Sequence, residues 1–195
     1  MPLRVQIKAL LAAGSLVRDW NTIVTIYQQG FRRAIRALQK IGPTERTPYY
    51  NVLAMRTDDP MATLNTIERW TEEQPALYDA IARVAPAGFT FEFQSPQDFQ
   101  DRVRAFLLEQ LSKLTGRSFH VRLHHRGSRL EVRTPDAERQ FNEFIVAATE
   151  KSGAAARVGF TEADVIVVID TIDNRAAIAI WNREDIARHR LLRPD

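Results

Sequence analysis

The stretch FHVRLHHRGSRL, from Phe119 to Leu130, holds three of the four histidines of the chain and three arginines. In a β-strand, successive side chains alternate between the two faces of the sheet. One face of this stretch would then end at His125 and carry three typical core residues, Phe119, Val121 and Leu123. The other face would carry four cationic or cationisable side chains, His120, Arg122, His124 and Arg126. The sequence therefore predicts a strand with one buried face and one basic face.

The basic face belongs to a longer basic segment. From Arg102 to Arg133 there are eight Lys and Arg side chains against two acids, a net charge of +6, whereas the whole chain carries +3. Such a local excess indicates a surface that binds a polyanion. We predict RNA contacts from seven residues of this segment: Lys113, Arg117, His120, Arg122, His124, Arg126 and Arg129. A second cluster near a predicted helix adds Arg32, Arg33 and Arg36, beside Lys40 and Arg46; a solvated helix face is its alternative interpretation.

The spacing of the histidines along the strand excludes a shared metal site. His120 and His124 share a face, but four residues of strand separate their Cα atoms by about 13 Å, too far for one zinc ion with ligands at about 2.0–2.1 Å. A catalytic base needs a nucleophile or an orienting carboxylate, and the strand supplies arginines instead. No phosphate-loop, dinucleotide or metalloprotease motif occurs in the chain. We therefore predict no metal, no cofactor and no catalytic residue, and a solvated charged face remains the alternative to RNA binding.

The composition limits the possible chemistry and cellular location of the protein. There is no cysteine, which excludes disulfides, thiolate clusters and thiol catalysis and is typical of a cytoplasmic protein. No apolar run approaches the roughly 20 residues that cross a bilayer, so we expect no membrane segment. We read residues 1–20 as a tail rather than an export signal, because Lys8 interrupts the apolar run.

The first half of the chain has the pattern strand, helix, strand, helix, strand. The predicted strands are Asn21–Gly30, Tyr49–Thr57 and Phe89–Phe93. The helices begin after Gly30 and at Pro60, where Asp59 is a typical N-cap residue. The pattern predicts a small βαβαβ domain over residues 21–94.

The second half has the pattern helix, strand, helix, strand, strand. Ser95-Pro96 and Thr134-Pro135 are typical starts of helices. Between them lies the histidine-rich strand. The nearly continuous apolar run Asp164–Ile172 indicates a strand buried on both faces, and Asn174–Trp181 is its expected hairpin partner. We predict a second domain over residues 95–184 and an exposed basic tail over residues 185–195.

Three segments of the second half together resemble a THUMP domain: SFHVRLHHRG, TPDAERQFNEFIVAATEK and ADVIVVIDTIDNRAAIAIWNRED. The resemblance implies an α/β (α+β) fold that binds tRNA, usually at the acceptor end. The first half resembles the ferredoxin-like domain that precedes THUMP in several tRNA-modification proteins.

The whole chain looks most similar to the stand-alone type of THUMP protein. This resemblance implies a non-catalytic adaptor that presents tRNA to a separate RNA-modifying enzyme, such as an N4-acetylcytidine acetyltransferase. Two alternatives stay open. One is a small enzyme on RNA or nucleotides with Mg²⁺ held by Asp164, Asp170 and Asp173. The other is a protein–protein scaffold that dimerises through Trp181.

The two faces of the histidine-rich strand give the first testable prediction. Leu123→Ala should lower the free energy of unfolding by about 2–5 kcal/mol, because it leaves a cavity in the core. Arg122→Ala and Arg126→Ala should leave the fold intact and each flatten the plot of log RNA affinity against log salt by about 0.7–0.9. Denaturant unfolding and a salt series measure these effects. Equal stability losses in the Leu123 and Arg122 variants would contradict the assignment of the faces.

Overall fold

The structure, a computed structural model, describes residues 18–127, 130 and 133–194. The chain divides into two compact units, one ending at Val84 and the other beginning at Ala85, whereas the boundary predicted from the sequence lies between residues 94 and 95. Each unit has its own sheet and its own helices, which confirms the predicted α+β fold class. Most of the predicted tail, residues 1–17, lies outside the described residues.

The first unit alternates strands and helices. Its elements are β1 (Thr22–Ile26), α1 (Phe31–Leu38), β2 (Thr44–Arg46), β3 (Val52–Met55), α2 (Pro60–Glu73), α3 (Pro75–Tyr78) and β4 (Ile81–Pro86). The four strands form one sheet in the order β2-β3-β1-β4, and β3 pairs antiparallel with both β1 and β2. α2 begins where predicted, since the Asp59 carboxylate accepts hydrogen bonds from the N–H groups of Met61 and Ala62.

Two strands of the first unit were not predicted, namely the three-residue β2 and the last strand, β4. Phe89–Phe93 was expected to complete its sheet, but the last strand of that sheet is β4. The segment of β4 contains Arg83 and ends in Pro86, two features that disfavour a strand assignment from sequence. Here Arg83 is buried, and Pro86 is tolerated because β4 lies at the edge of the sheet.

The second unit contains a five-stranded sheet in the order β5-β9-β8-β6-β7. Its elements are β5 (Phe89–Glu92), α4 (Pro96–Glu109), β6 (Ser118–His124), α5 (Thr134–Lys151), β7 (Arg157–Val158), β8 (Val165–Ile172), β9 (Arg175–Asn182) and α6 (Arg183–Arg188). β6 runs parallel to β7 and β8, while β9 runs antiparallel to β8 and β5. The predicted histidine-rich strand, the doubly buried strand and its hairpin partner are all present.

The core of the second unit lies between the sheet and two helices. Phe119, Val121 and Leu123 of β6 are buried in it, as predicted. From the helices come Phe99 and Phe141, whose ring centroids lie 6.0 Å apart. The rings of β5 pack in the same cluster, which explains why this strand joins the second sheet rather than the first.

The end of the chain differs from the expected exposed tail. α6 begins at a capping box, in which the side chain of Asn182 accepts from the N–H of Asp185 and the carboxylate of Asp185 accepts from the N–H of Asn182. Beyond α6, His189, Leu191 and Leu192 are buried. Leu191 and Leu192 therefore anchor this segment. The sequence suggested an exposed segment because arginines surround these two leucines.

No helix among the described residues is both long enough and apolar enough to cross a bilayer.

Gly30 provides a test of the packing between the start of α1 and Ala80, which lies between α3 and β4. A Cβ atom added at Gly30 would lie 2.4 Å from the Cα atom of Ala80, a contact with backbone that cannot rotate away. We expect Gly30→Ala to lower the free energy of unfolding by about 1–3 kcal/mol, measured by denaturant unfolding. Gly88→Ala is the control, because no atom lies within 4 Å of its added Cβ. Equal stability of the two variants would contradict this packing.

Candidate nucleic-acid interface

The predicted basic face of β6 is only partly open to solvent. His120 is 3% exposed and stands in register with Ile166 and, across β8, with Trp181. Its Nδ1 lies 3.0 Å from the carbonyl oxygen of Gly159, and its ring centroid lies 5.7 Å from that of Phe160. His120 is therefore placed as a packing residue, whereas we had predicted a phosphate contact.

Arg126 lies in an ion pair inside the second unit. Its Nη1 donates to Oδ1 of Asp170 at 2.8 Å, and the two side chains are 17% and 4% exposed. The backbone of Arg126 is fixed as well, because its N–H donates to Oγ1 of Thr171 and its carbonyl accepts from the N–H of Asp173. Arg126 thus joins the end of β6 to the end of β8.

The other cationic groups near the end of β6 are half-buried. Nε2 of His124 lies 2.9 Å from the carbonyl oxygen of Pro194, and Arg122 stands in register with Val168. Nδ1 of His125 lies 2.9 Å from Oγ1 of Thr171. Burial lowers the pKa of His125, and the charge of Arg126 adds to this shift against an opposing hydrogen bond with the Gly127 backbone. These side chains are half-buried, and both histidines contact other groups of the protein, so the face is less open to phosphate than the sequence suggested.

Ion pairing also reduces the positive charge that the sequence suggested. Arg102 pairs with Asp98 at 2.7 Å, and Arg104 lies 3.9 Å from Asp101. A hydrogen bond from the backbone of Gln94 and one from Arg102 lower the pKa of Asp98, which keeps this carboxylate charged. Both acids precede the +6 segment, so a count inside the segment missed them.

Among the residues predicted to bind RNA in the second unit, Lys113 and Arg117 are exposed. Arg129 lies outside the described residues.

The three carboxylates proposed for Mg²⁺ do not meet. Asp164 and Asp170 are six residues apart along an extended strand, which separates them by about 20 Å. Asp164 accepts from the hydroxyl and the N–H of Ser118, and these two hydrogen bonds lower its pKa. Asp173 occupies the turn after β8 with φ of 53°. The described residues contain no group of three or more potential metal ligands, and the magnesium hypothesis is therefore wrong.

The second predicted cluster, at α1, is exposed to solvent, unlike the basic face of β6. Arg32 and Arg36 lie one turn apart on α1, Lys40 lies two residues beyond the end of this helix, and all three side chains are exposed. Like charges at this spacing destabilise a helix. The segment Phe31–Leu38 carries no acidic residue that could offset them. Arg33 is also exposed and donates to the carbonyl oxygen of Ala76 at 2.9 Å.

A groove of about 670 Å³ lies beside α1. The residues that line it combine arginines, amides and aromatic rings without a carboxylate: Gln28, Gln29, Phe31, Arg32, Arg46, Thr47, Pro48, Tyr49, Tyr50 and Asn51. Cζ of Arg46 lies 3.8 Å from the centroid of the Phe31 ring. Sequence analysis missed this groove, although TPYYN, with its proline, two tyrosines and asparagine, was a visible turn signal.

A second groove, of about 580 Å³, lies beside α5 and has the opposite charge. Its lining includes Glu138, Glu143 and Glu150 against one arginine, Arg139. These carboxylates would repel phosphate groups. Of these two grooves, the one beside α1 is therefore the candidate for nucleic acid.

Comparisons with protein-family models and with curated protein sequences give no match. Solved structures do match. PH1313 from Pyrococcus horikoshii Ot3 is 13% identical with a TM-score of 0.59, over 82% of this chain and 53% of that one. A 4-thiouridine synthetase in complex with RNA and ATP is 15% identical with a TM-score of 0.54, over 82% of this chain and 40% of that one. A possible methylase from Clostridium difficile 630 is 13% identical with a TM-score of 0.52, over 83% of this chain and 40% of that one.

These likenesses define the fold of the chain as THUMP-like. The chain spans at most 53% of the length of these three neighbours. Two of them are described as enzymes, a synthetase and a possible methylase. This finding contradicts the predictions that the protein is not an enzyme and that it is a non-catalytic adaptor.

The Arg126–Asp170 pair gives a prediction that replaces the expected tolerance to Arg126→Ala. Removal of the arginine takes the 2.8 Å ion pair from the buried carboxylate of Asp170, so we expect a loss of about 3–5 kcal/mol in the free energy of unfolding. The double variant Arg126→Ala/Asp170→Ala should lose less than the sum of the two single variants. Denaturant unfolding measures both, with Arg117→Ala as an exposed control that should change little. Additive losses would contradict the ion pair.

Proposed function

We propose that this protein is an RNA-modifying enzyme of the methyltransferase class and that its described residues form the part that binds RNA. The THUMP-like fold supports the link to RNA modification, since one neighbour is described in complex with RNA and another as a possible methylase. We further propose tRNA as the substrate, on the resemblance of the second unit to a THUMP domain, and the cytoplasm as the location, on the absence of cysteine.

The observation that carries the RNA-binding role is the uncompensated basic face of α1. Arg32 and Arg36 lie one turn apart on α1 and repel one another, and an anion bound against them would offset this repulsion. Arginine binds phosphate through two parallel N–H donors, which suits the backbone of a nucleic acid. Phosphate contacts position the RNA without reading its sequence, so this face would accept many RNAs.

The first unit has the element order β-α-β-β-α-β when the one-turn helix α3 is set aside. This order is that of the ferredoxin-like motif, which supports our assignment of a ferredoxin-like unit before the THUMP-like one. In the second unit, Lys113, Arg117, Arg122 and His124 remain proposed as further RNA contacts.

A methyltransferase needs a methyl donor. A donor with a nucleoside group, such as S-adenosylmethionine, would be expected at the carboxyl ends of parallel strands, near a glycine-rich turn. At the ends of the parallel strands β6 and β8 lies the Arg126–Asp170 ion pair, and the sequence contains no Gly-x-Gly. The described residues therefore do not fit such a donor, and we assign them no step of methyl transfer.

Two variants that remove arginines test the RNA-binding role, with their effects compared per arginine. Arg32→Ala/Arg36→Ala should weaken tRNA binding and flatten the plot of log affinity against log salt by about 0.7–0.9 per arginine. Arg139→Ala is the matched control, because this arginine pairs with Asp136 beside the acidic groove. Filter binding over a salt series measures both variants. An unchanged slope in the α1 variant would contradict the role of this face.

The enzymatic role is tested in cells. Nucleoside mass spectrometry of tRNA from host cells that lack the gene should show the loss of a methylated nucleoside. An unchanged set of methylated nucleosides would contradict the proposal that the protein is a methyltransferase.

A further inference from the structure

We propose that the groove beside α1 binds unpaired nucleotides of single-stranded RNA. In this arrangement the bases lie against the tyrosine rings of the groove, and the phosphates lie against Arg32 and Arg46. The inference rests on the proposed RNA-binding function and adds to it the kind of RNA segment that the first unit recognises.

The exposure of the aromatic rings is the first argument. Tyr50 is 72% exposed at the rim of the groove, and Tyr49 beside it is half-buried. A large ring in contact with water gains little for the fold, but it offers a flat apolar surface to a base. Stacking on such rings is a common way to hold single-stranded nucleic acid without dependence on its sequence.

The turn that carries the rings is fixed by hydrogen bonds. Oγ1 of Thr47 donates to the carbonyl oxygen of Val52 at 2.9 Å and accepts from the N–H of Tyr49 at 3.2 Å. Asn51 has φ of 57°, a left-handed conformation that asparagine tolerates better than most residues. The tyrosines therefore stand on a preformed turn, which reduces the entropy lost when a ligand binds.

The charges of the groove suit phosphate. The guanidinium of Arg46 contacts the Phe31 ring, and a guanidinium held in this way still has N–H groups for an anion. Arg32 lines the same groove from α1. A ring and two arginines at one groove match the alternation of base and phosphate along a single strand.

The remaining polar groups suit the edges of bases. Gln28, Gln29 and Asn51 line the groove, and each side-chain amide has both a donor and an acceptor. Base edges and faces become accessible to such groups only when the bases are unpaired. A volume of about 670 Å³ lies within the usual range of ligand pockets, about 300–1,000 Å³. The groove is therefore suited to a few unstacked nucleotides, whereas paired bases would be out of its reach.

Fluorescence anisotropy with a labelled oligouridine and a labelled blunt-ended RNA duplex tests the inference. We expect Tyr50→Ala to weaken oligouridine binding by about five- to a hundredfold while the salt slope stays the same, because stacking releases no counter-ion. The same variant should bind the duplex as the parent protein does. Tyr78→Ala is the control, because Tyr78 is also exposed, at 50%, and does not line the groove.

The outcomes separate the two proposals. Loss of oligouridine affinity in Tyr50→Ala alone supports the groove. Equal oligouridine affinity in the Tyr50 and Tyr78 variants, with tRNA binding still dependent on Arg32 and Arg36, overturns the groove and leaves the proposed function in place. Failure of the unmodified protein to bind any of the RNAs at low salt overturns both.

Discussion

The structure of the second unit depends on the burial of β8. All eight residues from Val165 to Ile172 are buried, and the strand is paired on both sides, with β6 and β9. A strand buried in this way needs a cover on both faces of its sheet. α4 and α5 supply one cover. On the other face, His124 meets the carbonyl of Pro194, so the C-terminal segment with its buried Leu191 and Leu192 contributes to the second.

The burial of β8 also determines which side chains of the histidine-rich strand, β6, are buried. Because β6 is the neighbour of β8, its outer face is covered as well: His124 contacts Pro194, and His120 is buried beside Gly159 and Phe160. Asp170 is the only acid within β8, and burial obliges it to find a counter-ion, which Arg126 provides. The row of cationic groups that resembled a binding surface therefore contributes at least in part to the stability of the fold.

Local patterns in the sequence predicted most of the elements of the fold. Alternation located Phe119, Val121 and Leu123 in the core, and the apolar run of β8 identified a doubly buried strand. The prediction failed where a partner lay far away in the sequence, because alternation gives the face of a side chain and not what covers that face. The pairing of Arg126 with Asp170 and the anchoring of the last segment by Leu191 are both of this kind.

The candidate site was predictable in part. The basic residues of α1 were found by composition, but the groove beside them was not, because Phe31 and Tyr50 come together only when β2, β3 and α1 are folded. Charge counted along the sequence also overstated the positive charge of the second unit, since Asp98 and Asp101 offset nearby arginines of α4.

We propose that the first unit contacts RNA through α1 and the groove beside it. Ultraviolet cross-linking of tRNA to the whole protein, followed by mass spectrometry of the cross-linked peptides, tests this claim directly. We expect cross-links in the peptides that contain Phe31, Tyr49 and Tyr50. Cross-links confined to the peptide of residues 118–126, with none in the first unit, would contradict it.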